Sequence, residues 1–596
     1  MLIFKDRQKA FKTRSGARLP VKFQFLFDSG QKKGFIIAEH LLYSTVKELT
    51  RRDFSMSEHK NTRNQISLPI ILCLGLAGGI FIGASLNTQK TSSEVGRDVQ
   101  KLREVLTFIN KNYVDEVKTD KLVDESIQHL LAKLDPHSVY IPASDRAQAN
   151  EDLRGNFDGI GVEFNIFQDT IVVISPLAGG PSEALGILSG DKILKVNEKD
   201  VAGIGITSPD VMKLLKGPSG TEVKVTIQRN GSPEPLEFNI VRDKIPQFSL
   251  DVAYMVDHET GYIKISRFAA TTYEEFSVAL NKLKERGMKR LVLDLQSNGG
   301  GYMDMAIKMA DDFLSGGKKI VYTNGKDQTL NTDAISTANG NFENGALIVL
   351  VNEWSASATE ILAGALQDND RALVVGRRSY GKGLVQKPFD LNDGSELRLT
   401  ISRYYTPSGR SIQKPYDDEE EYSQDILSRY KKGEFFHADS IHFNDSLKYT
   451  THNGRTVYGG GGIMPDYFIP LDTTQNSHYL NELYSTTAIY EYAFKYAEKH
   501  KKELEERGFD NYFTKFQVTD DMLNDLVKLG QQKKLKPDYE ELRLKKQLFQ
   551  VHVKAQIARK VWGNDGLFPI MNETNEIFQQ ALKLFDRIPE LENTKR

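Results

Sequence analysis

The chain has 596 residues, 39% hydrophobic and 27% charged, with 78 Lys and Arg against 80 Asp and Glu and a net charge of −2. At roughly 150 residues per domain it is too long for one core and predicts three or four folded units. The charge balance excludes a general nucleic-acid binder, and the single cysteine, Cys73, excludes an intrachain disulfide framework and a cysteine-based zinc site.

Residues 1–65 read as a cytoplasmic segment. Met56 is followed by a short basic stretch and then an apolar run, the layout of a true start, so translation is expected to begin there and residues 1–55 to be untranslated. Between Arg63 and Lys90 no charged residue interrupts the chain, and 66–86 can cross a hydrocarbon core of about 30 Å as one helix. Arg51, Arg52, Lys60 and Arg63 precede it, which places the N-terminus in the cytoplasm and the rest outside. The expected location is the inner (cytoplasmic) membrane, single-pass, with the bulk of the chain periplasmic or otherwise extracytoplasmic. A signal peptide cleaved near Gly83, Ala84 and Ser85 is the competing reading.

Residues 91–155 show helical spacing at Val99, Leu102, Val105, Leu106 and Ile109, then at Leu122, Ile127, Leu130, Leu131 and Leu134, with Asp135-Pro136 as the stop. This reads as a packing or dimerisation element rather than a site, with His137 stabilising a turn. Residues 156–243 switch to short β-branched runs between glycine turns. In 244–470 apolar strands alternate with helical patterns, notably Arg290–Asp294 and Ala346–Val351, as in an α/β core. A glycine run, Gly459 to Gly462, closes this region. Residues 476–596 are helical and charged, with Leu504, Leu523, Leu526, Leu542 and Leu548 on an apolar face. The class is multidomain α+β: membrane helix, helical segment, β-rich domain, α/β core and C-terminal helical region.

Two segments carry chemistry. Asn352 to Ile361 leaves a buried-type strand and enters a helix, and a serine at such a turn has its hydroxyl beside free N–H groups that stabilise an oxyanion. Ser355 and Ser357 both qualify, and capping the helix is the plain alternative for either. In Ser379 to Gln386, Lys382 sits between two glycines with Leu384 and Val385 beside it. Burial lowers a lysine pKa toward that of a general base. Gln386, four residues on, returns to the same face if the segment is a strand. Gly376 to Gly383 reads G-x-x-x-x-G-K-G, but a P-loop needs Ser or Thr after the lysine and then a helix. No H-E-x-x-H or G-x-S-x-G pattern is present.

Ser355-Ala356-Ser357-Ala358-Thr359-Glu360, Gly364-Ala365-Leu366 and Gly381-Lys382-Gly383-Leu384-Val385-Gln386 closely resemble the active-site blocks of the C-terminal processing (tail-specific) peptidases. There the second serine of the first block is the nucleophile, the lysine follows 25 residues later and a glutamine four after that; here 382 − 357 = 25 and 386 − 382 = 4. The resemblance implies a catalytic set of Ser357, Lys382 and Gln386. Asp294 to Gly301 is similar to the family's D-L-R-x-N-P-G-G turn, with Gln296 and Gly299 in place of arginine and proline. It implies that Gly300 and Ala358 amides form the oxyanion hole. Asp368 matches a family aspartate, read here as structural. The β-rich domain resembles a PDZ module, with Gly159, Ile160, Gly161 and Val162 in the carboxylate-binding loop and Lys216 where relatives often carry arginine. The likeness covers roughly Val99 to Pro470, including Leu134-Asp135-Pro136-His137-Ser138.

The function implied is a serine endopeptidase that reads apolar C-terminal tails of proteins and cleaves through an acyl-enzyme, with no metal or organic cofactor. Protein or peptide substrates and the membrane are the partners expected. A homo-oligomer and an activating partner are further associations consistent with it, and nucleic acid is not among them. The rival from another class is a catalytically silent PDZ adaptor at the membrane.

Overall fold

The computed structural model describes residues 92–593, apart from 168, 178, 230 and 443. The apolar run 66–86, Met56 and Cys73 lie outside the described residues, and among the described residues no helix is long and apolar enough to cross a membrane. Two units are distinguished, one ending at Val117 and one beginning at Lys118. In the first, Ser92–Asn112 is a helix carrying the expected apolar stripe.

The second unit begins with the helix Thr119–Ala132, which ends just before Asp135-Pro136. Val139–Ile141 then departs from the helical expectation. It is a strand, paired antiparallel with Glu396–Arg398, because Val-Tyr-Ile buries Tyr140 and Ile141 against a sheet. A helix, Arg146–Arg154, leads to the strand Asn156–Gly159, which pairs with Asp243–Pro246. This two-stranded ribbon joins the β-rich domain to the core. The domain itself is an antiparallel sheet in the order Val162–Phe167, Thr170–Pro176, Lys192–Val196, Glu222–Gln228, Leu236–Val241, so Val162–Phe167 is an edge strand.

The core sheet runs Leu250–Met255, Thr260–Ile265, Arg290–Asp294, Ala346–Val351, Leu373–Gly376, Tyr467–Phe468; its first pair is antiparallel and the rest parallel. The two predicted strands have the predicted bounds. Alternation divides their side chains: Leu291, Leu293, Leu347, Val349 and Val351 pack under the helices Thr272–Glu285, Met303–Phe313 and Ala358–Asp368. Val292, Ile348 and Leu350 face Ile577, Phe578 and Phe585 from the C-terminal region. A second sheet contains Lys319–Gly325 beside Glu396–Tyr405, which also pairs with Leu384–Asp390. The C-terminal helices bury Leu504, Leu523, Leu526 and Leu548 in a bundle core with Leu542 packed against it. They also reach the β-rich domain, where Arg559 pairs with Glu163 at 3.4 Å and Phe494 meets Phe167 at 6.3 Å.

Candidate active site

Ser357 stands where the strand Ala346–Val351 gives way to the helix Ala358–Asp368, as its N-cap, with φ 58° and ψ −117°. A non-glycine residue there stores roughly 1–3 kcal/mol of strain and persists only when its surroundings hold it. The holding group is Glu360, fully buried, whose carboxylate accepts the Ser357 N–H at 2.9 Å. Ser355 is spent on structure: its hydroxyl donates to the Leu295 carbonyl at 2.8 Å and it is wholly buried. Geometry thus separates the two serines, leaving Ser357 partly accessible.

The lysine segment is strapped to the same carboxylate. Glu360 also accepts from the Ser379 hydroxyl at 2.5 Å and from the N–H groups of Gly381 at 2.7 Å and Lys382 at 2.9 Å. Buried Tyr404 adds a second strap, its hydroxyl lying 2.8 Å from the Lys382 carbonyl and 3.2 Å from that of Ser357. Gly381, at φ 90°, lets this loop pass against the glycine run, where a Cβ would sit 3.1 Å from the Gly462 nitrogen. Burial pulls the Lys382 amine below the ordinary lysine value; Glu360 and Asp135 oppose this and Arg398 adds to it. Burial pushes Glu360 up, against its four donors. Among the described residues no hydrogen bond joins the Lys382 amine to the Ser357 hydroxyl.

Lys382 lies in a loop, since the strand begins at Leu384, and a bulge falls between Val385 and Gln386. Strand alternation therefore does not relate Gln386 to Lys382, contrary to the expectation from spacing. Nor does a helix follow the lysine, so the P-loop reading fails on structure as it did on sequence. Gln386 instead donates its amide Nε2 to Thr400 Oγ1 at 3.1 Å.

The turn Leu134 to Ser138, in which His137 was read as a turn-stabilising residue, reaches this site. Asp135 accepts from the Thr400 hydroxyl at 3.0 Å, and His137 Nε2 meets the Tyr422 hydroxyl at 2.7 Å. His137 is held down to about 4, by burial first and then by Lys382, so it is neutral near pH 7. The strand Val139–Ile141 carries the turn here by joining the sheet edge beside Arg398.

Opposite Ser357, Asn298 is buried, and its carbonyl accepts from the Ala356 N–H at 3.0 Å and the Thr359 hydroxyl at 2.9 Å. Gly300, at φ 99°, abuts the serine so closely that a Cβ would lie 2.7 Å from Ser357 Cβ and 3.0 Å from the Ala358 nitrogen. Its N–H donates to Asn298 Oδ1 at 2.9 Å. Asp368 lies at the far end of the helix Ala358–Asp368 in a fully buried pair with Arg410 at 2.7 Å, a structural place.

In the β-rich domain Gly159, Ile160, Gly161 and Val162 line a cavity of about 260 Å³ with Phe164, Met212 and Leu215. Lys216 stands at this cavity over the Phe157 ring, ion-paired with Glu151 of the helix Arg146–Arg154. Sequence reasoning missed Glu360, Tyr404 and Thr400. The S-x-x-E capping-box spacing of Ser357 and Glu360 was a legible signal for the first. Tyr404 and Thr400 act only through the fold.

This architecture is that of a serine-type peptidase carrying a PDZ module. Residues 259–420 match peptidase family S41, 159–240 match the PDZ domain, and 82–144 match the activating protease CtpB N-terminal domain. Residues 479–563 match a family of unknown function. The chain is 35% identical over 345 residues to a carboxy-terminal-processing protease of Bartonella bacilliformis, covering 56% of this chain and 78% of that one. It is 33% identical over 337 residues to carboxy-terminal processing protease CtpA of Bacillus subtilis, covering 56% and 70%. Among solved structures it is similar to the photosystem II D1 C-terminal processing protease, at 28% identity, a TM-score of 0.30, and 52% and 89% coverage. The chain belongs to the C-terminal processing protease family, and it is a PDZ-containing serine protease rather than a silent adaptor.

Proposed function

We propose that the chain is a Ser-Lys endopeptidase in which Ser357 is the nucleophile and neutral Lys382 its general base. The observation that carries this reading is the shared carboxylate: Glu360 ties the backbones of both residues, so a strained, accessible serine and a desolvated lysine are held on one buried anchor. Substrate binding brings the hydroxyl and amine together; catalytic hydrogen bonds are often incomplete in free enzymes. Lys382 takes the Ser357 proton as the oxygen attacks the scissile carbonyl, then passes it to the leaving amine. The acyl-enzyme is released by water, deprotonated in turn by Lys382. The Ala358 amide receives the oxyanion at the helix N-terminus. Gly300 joins it once its N–H turns from Asn298.

The PDZ cavity supplies selection. The edge strand Val162–Phe167 can pair with an extended peptide, the apolar lining suits an apolar final residue, and Lys216 suits its carboxylate. The uncharged run 66–86 with its basic flank supports a single-pass anchor in the cytoplasmic membrane and an extracytoplasmic protease. Accessibility of the PDZ domain to added trypsin in spheroplasts checks that topology.

The test of function is cleavage of an unfolded protein with an apolar C-terminus by the full chain, beside Ser357→Ala and Lys382→Ala. Loss in both variants with unchanged circular dichroism is expected. Cleavage surviving in Ser357→Ala would remove the proposed nucleophile.

A further inference from the structure

The bonds around Gln386 can be assigned proton by proton. Asp135 is 8% exposed and accepts four hydrogen bonds, from His137 N and Ser138 N at 2.8 Å, Ser138 Oγ at 2.6 Å and Thr400 Oγ1 at 3.0 Å. Its carboxyl is ionised: burial opposes this, and the bonds outweigh it, so its pKa falls below the ordinary aspartate value. An ionised carboxylate only accepts. The single Thr400 hydroxyl hydrogen must therefore point to Asp135, which leaves Thr400 Oγ1 an acceptor toward Gln386 at 3.1 Å. The group that Gln386 presents there has to be its NH₂. Its carbonyl oxygen Oε1 then faces the other way, and an amide flip, otherwise ambiguous, is excluded.

We propose that Asp135 and Thr400 are positioning residues for catalysis: they orient the Gln386 carbonyl so that it accepts an N–H from Lys382 and aims the amine lone pair at Ser357, while the Asp135 carboxylate faces the same amine. The inference rests on the Ser-Lys reading above and deepens it. It gives the N-terminal turn, which lies outside residues 259–420 of the peptidase match, a part in the reaction. A reversed amide would present NH₂ to the lysine lone pair and compete with the serine hydroxyl for it. Thr400 is fixed from a second side, because its N–H donates to Ser138 Oγ at 3.1 Å.

The experiment uses the full chain and the same unfolded substrate. Thr400→Val removes the relay and should lower kcat by roughly 10- to 100-fold, as loss of an outer hydrogen-bond partner commonly does, with KM little changed. Thr400→Ser should restore kcat. In a Gln386→Ala background Thr400→Val should cost nothing further, because the residue it acts through is gone.

Asp135→Asn is the second variant. It keeps Oδ1 for Thr400 and the turn amides, removes the charge, and reverses one bond, its NH₂ donating to Ser138 Oγ where Oδ2 accepted. Lys382 is faced by Glu360 of the nucleophile helix, Asp135 of the turn and Arg398 of the strand Glu396–Tyr405, with neutral His137 beside it. Losing the Asp135 charge makes the ammonium less favourable, so the acid limb of kcat/KM should move to lower pH. Parent-like kcat in Thr400→Val, multiplying losses in the double variant, or an unmoved limb in Asp135→Asn would each overturn the proposal. Full cleavage by Lys382→Ala would instead overturn the Ser-Lys reading beneath it.

Discussion

Glu360 and Glu151 each hold a lysine segment, and they do so in opposite surroundings. Glu360 is wholly buried and takes four donors from the loops that bear Ser357 and Lys382. Glu151 meets one lysine, Lys216, with side chains 22% and 32% exposed. Away from water the first set of bonds has no competitor, and losing the acceptor strands every donor. A partly exposed pair is worth about 0–1 kcal/mol and yields to another carboxylate. On the proposed reading, chemistry is built on a permanent anchor and tail capture on an exchangeable one.

The largest expected effect breaks the permanent anchor. Glu360→Ala should lower folding stability by about 3 kcal/mol or more and abolish cleavage, read from urea midpoints and turnover; an unchanged midpoint would contradict its role as anchor. Next, Asp368→Ala strands the buried Arg410 guanidinium, a loss of about 3–5 kcal/mol. Because Asp368 sits at the far end of the helix, enzyme still folded in the cold should keep turnover near the parent value.

The pH dependence sharpens the catalytic half. A base whose pKa lies below the ordinary lysine value of 10.5 is protonated and idle at low pH. So kcat/KM should rise with pH with its midpoint below 10.5, while Lys382→Arg, always protonated, should be inactive throughout. The smallest effect belongs to the exchangeable pair. Glu151→Gln frees Lys216 and should tighten binding of an apolar-tailed peptide by about two- to fivefold, consistent with a pair worth less than about 1 kcal/mol. Fluorescence anisotropy on the Ser357→Ala protein reads this, and weakened binding would break the comparison.

What was legible in the sequence divides along similar lines. Arg290–Asp294 and Ala346–Val351 announce themselves because strands buried on both faces are continuous apolar runs. The turns that bear Ser357 and Lys382 were visible because glycine and small residues mark them. The preference for Ser357 over Ser355 came from family spacing, and the structure supplies the physical reason in the Ser355–Leu295 bond. The reach of the Leu134 to Ser138 turn was not legible because its partners, Thr400 and Tyr422, lie more than 260 residues away in the chain. No local periodicity encodes that pairing. The link from Lys382 to Gln386 was wrong in its reason, since a bulge cancels the alternation on which it relied.

Mass spectrometry of the enzyme quenched with acid early in turnover tests Ser357 as the nucleophile without any intermediary. A transient acyl adduct is expected on the peptide bearing Ser357, its mass matching the substrate fragment N-terminal to the cut, and no such adduct in Ser357→Ala. An adduct on another residue, or turnover by Ser357→Ala, would contradict that role.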